Sequence, residues 1–164
     1  MIQRQLRAAD AEATWTRRYA ELRPRLVRAL AATVGTYAGV EDAVQEAFLA
    51  AIARDDREIA NLGGWLYTVA LRHMRRTRRR EVILQALRFR RPDVAPEIDQ
   101  AIARIDLLAM LGQLPQRERE LLIAKHYFGS TQDEIAAGFR MKRGTVSATL
   151  SRAITKLRAL EGPE

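Results

Sequence analysis

Cysteine is missing from the chain of 164 residues, which excludes a disulfide framework and any metal site built on thiolates. Histidine is scarce. His73 and His126 lie far apart and have no ligand partners at helical spacing, so no metal is expected. No apolar run approaches the roughly 20 residues that a membrane-spanning helix needs. The opening MIQRQLRAAD lacks the apolar middle of a signal peptide, and a cytoplasmic protein is the expectation. Aromatic residues make up only 6% and β-branched residues are sparse, which counts against a sheet protein. No glycine-rich phosphate loop, nucleophile motif or carboxylate pair stands out, and NLGGW reads as a turn and helix start. Neither an enzyme nor a cofactor is expected.

What the chain does contain is helix-forming residue types and positive charge. Apolar residues reach 48%, enough for a real core, and Ala, Leu, Arg and Glu dominate, so the fold class expected is all-α. The net charge is +8, and its placement matters more than its size. Between Arg72 and Arg80 the run RHMRRTRRR holds six arginines and no acid. Such a cluster attracts phosphate and makes binding salt-dependent. A solvated helix end or an anionic membrane surface would give the same composition.

Apolar spacing organises the rest. Tyr19, Leu22, Leu26, Val27 and Leu30 form the stripe of a helix from Trp15 to about Val34, with Pro24 as a kink or a later start. A GTYAG turn precedes VEDAVQEAFLAAIAR, where Val40, Val44, Ala47, Phe48, Ala51 and Ile52 share one face. The acidic loop DDREIANLGG leads to a helix starting at Trp65. Periodicity then fails across a segment carrying two prolines and mixed charge. The expected organisation is an N-terminal domain over 1–82, a linker over 83–104 and a C-terminal domain over 105–164.

In the second half, after a helix around Ile102 to Leu111, Pro115 suits the first turn of a helix and Gly129 its end. Thr131 and Glu134 make a capping box ahead of Ile135. The short turn FRMKRG then leads into a helix with Val146, Leu150, Ala153, Ile154 and Leu157 on its buried side. A capped short helix, a tight turn and a longer helix is the helix-turn-helix plan. Ala136 and Ala137 are small enough for a helix crossing, and Gly138 is placed for the turn's unusual φ. Thr145, Ala148, Ser151, Arg152 and Thr155 face outward, with Lys142 and Arg143 at the entrance. A plain helical hairpin has the same spacing.

Taken together, the halves resemble a bacterial sigma factor of the extracytoplasmic-function (ECF) group, which keeps two sigma domains joined by a linker. Leu114, Pro115, Arg119, Glu134, Ile135, Ala136, Gly144, Thr145, Val146, Arg152 and Ala153 match the family's C-terminal promoter-reading pattern. Glu41, Asp42, Val44, Gln45, Glu46 and Phe48 match the helix that grips the polymerase clamp, and WLYTVALRHMRR resembles the helix that follows. Two departures stand out. Arg72 replaces a usual Asn, and Ala148-Thr149 replaces a usual Ser-Arg.

The resemblance implies a factor that binds core RNA polymerase and promoter DNA, held in check by an anti-sigma factor. Asp42, Gln45 and Glu46 would meet polymerase. Asn61, Arg72, Arg75, Arg76 and Arg79 would meet the downstream promoter element, with Trp65 or Tyr67 available for stacking on a base. Lys142, Arg143, Thr145, Ser147, Ser151 and Arg152 would meet the upstream one. Two rivals remain: a stand-alone helix-turn-helix regulator, and a sigma-mimicking protein that titrates an anti-sigma factor.

Overall fold

The computed structural model describes residues 2–54, 59–86 and 109–161. They form helices α1 (Ile2–Val34), α2 (Val40–Ile52), α3 (Leu62–Ala86), α4 (Gln116–Leu122), α5 (Gln132–Phe139) and α6 (Arg143–Glu161). A short helical stretch at 109–113 precedes α4, and a π-helical segment, Ile123–Tyr127, continues it. Among the described residues there is no strand, in keeping with the all-α expectation. Most of the segment read as a linker, and the acidic residues Asp55, Asp56 and Glu58, lie outside the described residues; α3 itself runs on to Ala86.

Helices α1 to α3 form the first half. Leu26, Leu30 and Thr33 of α1 meet a fully buried face of α2 made by Val40, Ala43, Val44, Ala47 and Ala51. The alanines let α2 and α3 approach closely, and α3 answers with Leu66, Tyr67, Ala70 and Leu71. Each large aliphatic side chain buried this way contributes about 1.5–3 kcal/mol. Phe48 closes the open end, its ring edge-on to Tyr19 at 4.8 Å and to Trp15 at 6.4 Å. The GTYAG turn reverses the chain through Gly35 (φ 76°) and Gly39 (φ 72°), a backbone region that penalises a Cβ.

Three local expectations need correction. α1 does not begin at Pro24 but runs through it, and it starts well before Trp15. Pro24 is exposed, so the Ala20 carbonyl that loses its intrahelical donor faces water, while Leu22 and Leu26 pin both sides of the proline to the core. Residues 2–14 have helix-forming side chains but no apolar stripe, which left periodicity blind to them. Ile52 does not share the buried face of α2; it is 52% exposed.

The third correction concerns the tight turn of the second half. Arg140, not Gly138, takes the left-handed conformation (φ 53°, ψ 50°). Burial of Phe139 carries α5 one residue past Gly138. The helix then closes with Met141 N–H donating to the Ala136 carbonyl at 2.9 Å and Arg140 N–H to that of Ala137 at 3.4 Å. This pairing is a Schellman motif.

Other features of this half follow the pattern read from the sequence. Thr131 Oγ1 accepts from Glu134 N–H at 3.1 Å while the Glu134 carboxylate accepts from Thr131 N–H at 2.7 Å, completing the capping box. Pro115 occupies the N-cap position of α4, and Gly129 ends the segment with φ 67°. Val146, Leu150 and Ala153 of α6 are buried, and Ile154 and Leu157 pack against the same core.

The two halves share one apolar core. Tyr67 of α3 and Phe128 after the π segment bring their rings to 5.0 Å. Two glycines make room for the contact. A Cβ on Gly64 would lie 2.2 Å from Ser130 Oγ, and one on Gly138 would lie 2.9 Å from Thr68 Cγ2. Gly138 therefore serves close approach between the halves.

Candidate nucleic-acid interface

The buried stripe of α6 fixes which side chains reach solvent. Lys142, Arg143, Thr145, Ser147, Ser151 and Arg152 are all exposed. Gly144 stands in open space, so the N-terminal turn of α6 is accessible to a phosphate. Arg143 Nε is 3.5 Å from Asp133 Oδ1, an exposed pair that solvent screens. The departure at Thr149 has a structural meaning. This residue is only 4% exposed, its hydroxyl donates to the Thr145 carbonyl at 2.7 Å and accepts from Arg152 Nη2 at 3.3 Å. Thr149 thus orients Arg152 instead of reaching outward itself.

The arginine run forms the exposed end of α3. Arg72, Arg76 and Arg79 are exposed, whereas Arg75 is half-buried. Together with Arg80, these four border a groove of about 520 Å³ whose other wall is Gly138, Phe139 and Arg140 from α5 and its turn. Among the described residues that line it there is no carboxylate. Partial burial, then repulsion from Arg140, holds the Arg72 guanidinium below its usual pKa. Arg75 is neutralised by a salt bridge to Glu120, a carboxylate only 1% exposed. Glu120 also accepts from Arg117 and Gln116 at 3.2 Å each. Arg75 and Arg117 both lie over the Phe139 ring, at 5.9 and 5.2 Å.

Asn61 is fully engaged. Its Oδ1 accepts from Gly64 N–H at 2.9 Å, capping α3. Its Nδ2 donates to the Phe128 carbonyl at 2.9 Å and to Ser130 Oγ at 3.4 Å. Tyr67 is fully buried and Trp65 partly so. The Thr33 hydroxyl donates to the Ala29 carbonyl at 2.7 Å, which leaves the Tyr67 hydroxyl to donate to Thr33 Oγ1 at 2.6 Å. Burial pushes the Tyr67 hydroxyl pKa well above its usual range. Tyr67 is a core residue here, not a stacking platform.

On α2, Asp42, Gln45 and Glu46 are exposed together, and Glu41 is held by Arg23 Nε at 3.1 Å. The same face continues into Leu49 (59% exposed) and Ile52, at helical offsets of 7 and 10 from Asp42. This acidic stripe with an apolar end was only half read from the sequence. The signal for the rest was Leu49, which lies off the core stripe of α2.

Family models for Sigma-70 region 2 and Sigma-70 region 4 match residues 18–82 and 104–157. Similar solved structures include two complexes. One is the sigma factor RpoE in complex with the anti-sigma factor NepR from Bartonella quintana (22% identity, TM-score 0.69, covering 92% of this chain and 99% of that one). The other is CnrH in complex with the cytosolic domain of CnrY (27% identity, TM-score 0.59, covering 91% of this chain and 88% of that one). Among curated proteins, no sequence match is found. No helix among the described residues is long and apolar enough to cross a membrane.

Proposed function

The chain belongs to the sigma-70 family, carrying its regions 2 and 4 in order over most of its length, and from that premise we propose how this sigma factor divides its work between its surfaces. The α2 stripe of Asp42, Gln45, Glu46, Leu49 and Ile52 docks on core RNA polymerase. Acidic groups there give pairing and orientation, while the exposed Leu49 and Ile52 provide apolar area that gains by burial. The α6 residues Lys142 and Arg143 meet phosphate, and Thr145, Ser147, Ser151 and Arg152 read base edges of the upstream element. The arginine face of α3, with Asn61, meets the downstream element. The factor makes and breaks no covalent bond, needs no cofactor and acts in the cytoplasm.

The observation that carries this reading is the α2 stripe. A stand-alone helix-turn-helix regulator needs the α6 surface but has no use for an exposed apolar pair beside three polar groups on a separate domain. Two of the similar structures are complexes, one with an anti-sigma factor and one with the cytosolic domain of CnrY, which supports a protein inhibitor for this chain also.

Co-purification with core polymerase tests the assignment. The wild-type chain is expected to bind, and Asp42→Ala with Gln45→Ala to bind weakly. Equal binding by both would remove the α2 assignment. A sigma-mimicking protein would instead capture an anti-sigma partner and yield no promoter-directed transcript.

A further inference from the structure

The groove of about 520 Å³ between α3 and the turn after α5 is lined by Arg72, Arg75, Arg76, Arg79 and Arg80 on one wall and by Arg140 on the other. Among the described residues, salt bridges neutralise Arg75 and leave the other five arginines without a carboxylate. Elsewhere the halves meet through complementary groups, such as Arg25 on the Tyr127 carbonyl and Asn61 on that of Phe128. Here they meet cation to cation.

Two costs accumulate at this point. Arg140 holds a left-handed backbone (φ 53°) that penalises its Cβ, where a glycine would serve the Schellman turn better. Its side chain also faces Arg72, whose pKa is lowered by partial burial and then by repulsion from Arg140. Residues held against backbone and charge preference cluster at functional sites, where the surrounding structure fixes them. The Met141 N–H bond to the Ala136 carbonyl and the burial of Phe139 fix this one. The partner that would balance it is an anion.

The lining decides which anion. Arg72, Arg75, Arg76 and Arg79 follow the i, i+3, i+4, i+7 spacing of one helix face, so α3 carries charge along about 10 Å. That length exceeds one phosphate and suits a short chain of them. Phe139 is buried, with Arg75 and Arg117 over its ring, so no aromatic face is open to a base. Among the described lining residues there is no amide, hydroxyl or carboxylate side chain to complement a base edge. The volume falls within the range of small-ligand sites, roughly 300–1,000 Å³.

We propose that this groove binds a small linear polyphosphate, inorganic or the phosphate chain of a nucleotide, clamped between the α3 arginines and Arg140. Recognition is by guanidinium–phosphate hydrogen bonds, and the affinity comes from the phosphates alone. The site is additional to the promoter contacts proposed above and does not depend on α3 meeting DNA. Where α3 does meet it, Arg76 and Arg79 serve both, so bound polyphosphate competes with the downstream element.

Calorimetric titration of the full chain tests this, in magnesium-free buffer at fixed salt. The probes are tripolyphosphate, orthophosphate, adenosine triphosphate and a four-nucleotide oligothymidylate, which also carries three phosphates. Tripolyphosphate is expected to bind about tenfold or more tighter than orthophosphate or the oligonucleotide, and adenosine triphosphate within about threefold of tripolyphosphate. Arg140→Gly, which suits the turn, is expected to weaken tripolyphosphate about tenfold. Arg28→Ala removes the same charge from an exposed position on α1 outside the groove and is expected to leave the affinity unchanged. Thermal unfolding gives a second readout. Without ligand Arg140→Gly melts above wild type, while saturating tripolyphosphate raises the wild-type melting temperature by more than that of the variant.

Equal losses in Arg28→Ala and Arg140→Gly would reduce the effect to net charge and overturn the proposal. Absence of tripolyphosphate binding would overturn it too. Oligonucleotide binding as tight as that of tripolyphosphate would make the groove a nucleic-acid contact instead. A tenfold preference for adenosine triphosphate over tripolyphosphate would overturn recognition by phosphate alone. Polymerase docking is read separately by co-purification, so its failure and that of the groove are told apart.

Discussion

Replacing Tyr67 by Phe removes one hydroxyl from the point where α1 and α3 meet, and two effects of opposite sign follow. At neutral pH the variant loses a buried hydrogen bond to Thr33 Oγ1, while Thr33 keeps its bond to Ala29. The expected cost is about 1 kcal/mol. At alkaline pH the balance changes. Burial raises the folded-state pKa of Tyr67, while in the unfolded chain the group ionises near its ordinary value of about 10. A raised folded pKa stabilises the fold fully below the unfolded pKa, and that stability is lost as pH rises beyond it. The loss through this one group reaches about 1.4 kcal/mol at pH ~11. Wild type should therefore be the more stable protein at pH ~8, and the two should cross between pH ~10 and ~11.

Urea unfolding followed by tryptophan fluorescence across that range measures the difference directly. Lysine ionisation and the other three tyrosines occur in both proteins and cancel. A difference that stays constant from pH 8 to 11 would mean that Tyr67 ionises freely in the folded chain, and the α1–α3 core described above would be wrong.

Other expectations concern the second half and the arginine face. Arg140→Gly should stabilise the chain by about 1 kcal/mol in thermal unfolding, because the left-handed turn no longer carries a Cβ. Arg76→Ala with Arg79→Ala should weaken promoter binding on all sequences. The slope of log K against log salt should fall by about two, and an unchanged slope would mean the face meets something other than DNA. Arg152→Ala should relax the choice of upstream sequence by about 1–3 kcal/mol at one position, seen as altered ranking on a binding array. Equal loss on every sequence would make Arg152 a phosphate contact.

Features decided within a few residues are legible in the sequence. The Thr131–Glu134 capping box, the buried face of α6 and the Gly129 helix end depend on side chains three to seven positions apart, and each is where the pattern put it. Errors arose where a distant partner decides. Gly138 looked like the turn residue, but Thr68 of the other half explains its small size, and Phe139 burial moves the turn to Arg140. Pro24 offered a later helix start, but the core contacts of Leu22 and Leu26 carry α1 through it. The same holds for the site. Exposure of the α6 residues followed from helical period alone. That Asn61 meets Ser130 and Arg75 meets Glu120, 69 and 45 residues on, has no trace in local spacing.

The central claim is that one chain couples polymerase to promoter choice, with α2 meeting the enzyme and α6 the DNA. Reconstituted transcription from a library of promoters with purified core polymerase tests it most directly. The account predicts transcripts from a defined subset of promoters. It also predicts their loss with Asp42→Ala and Gln45→Ala together, and a shifted subset with Arg152→Ala. Transcripts that ignore promoter sequence, or a full yield from the α2 double variant, would contradict it.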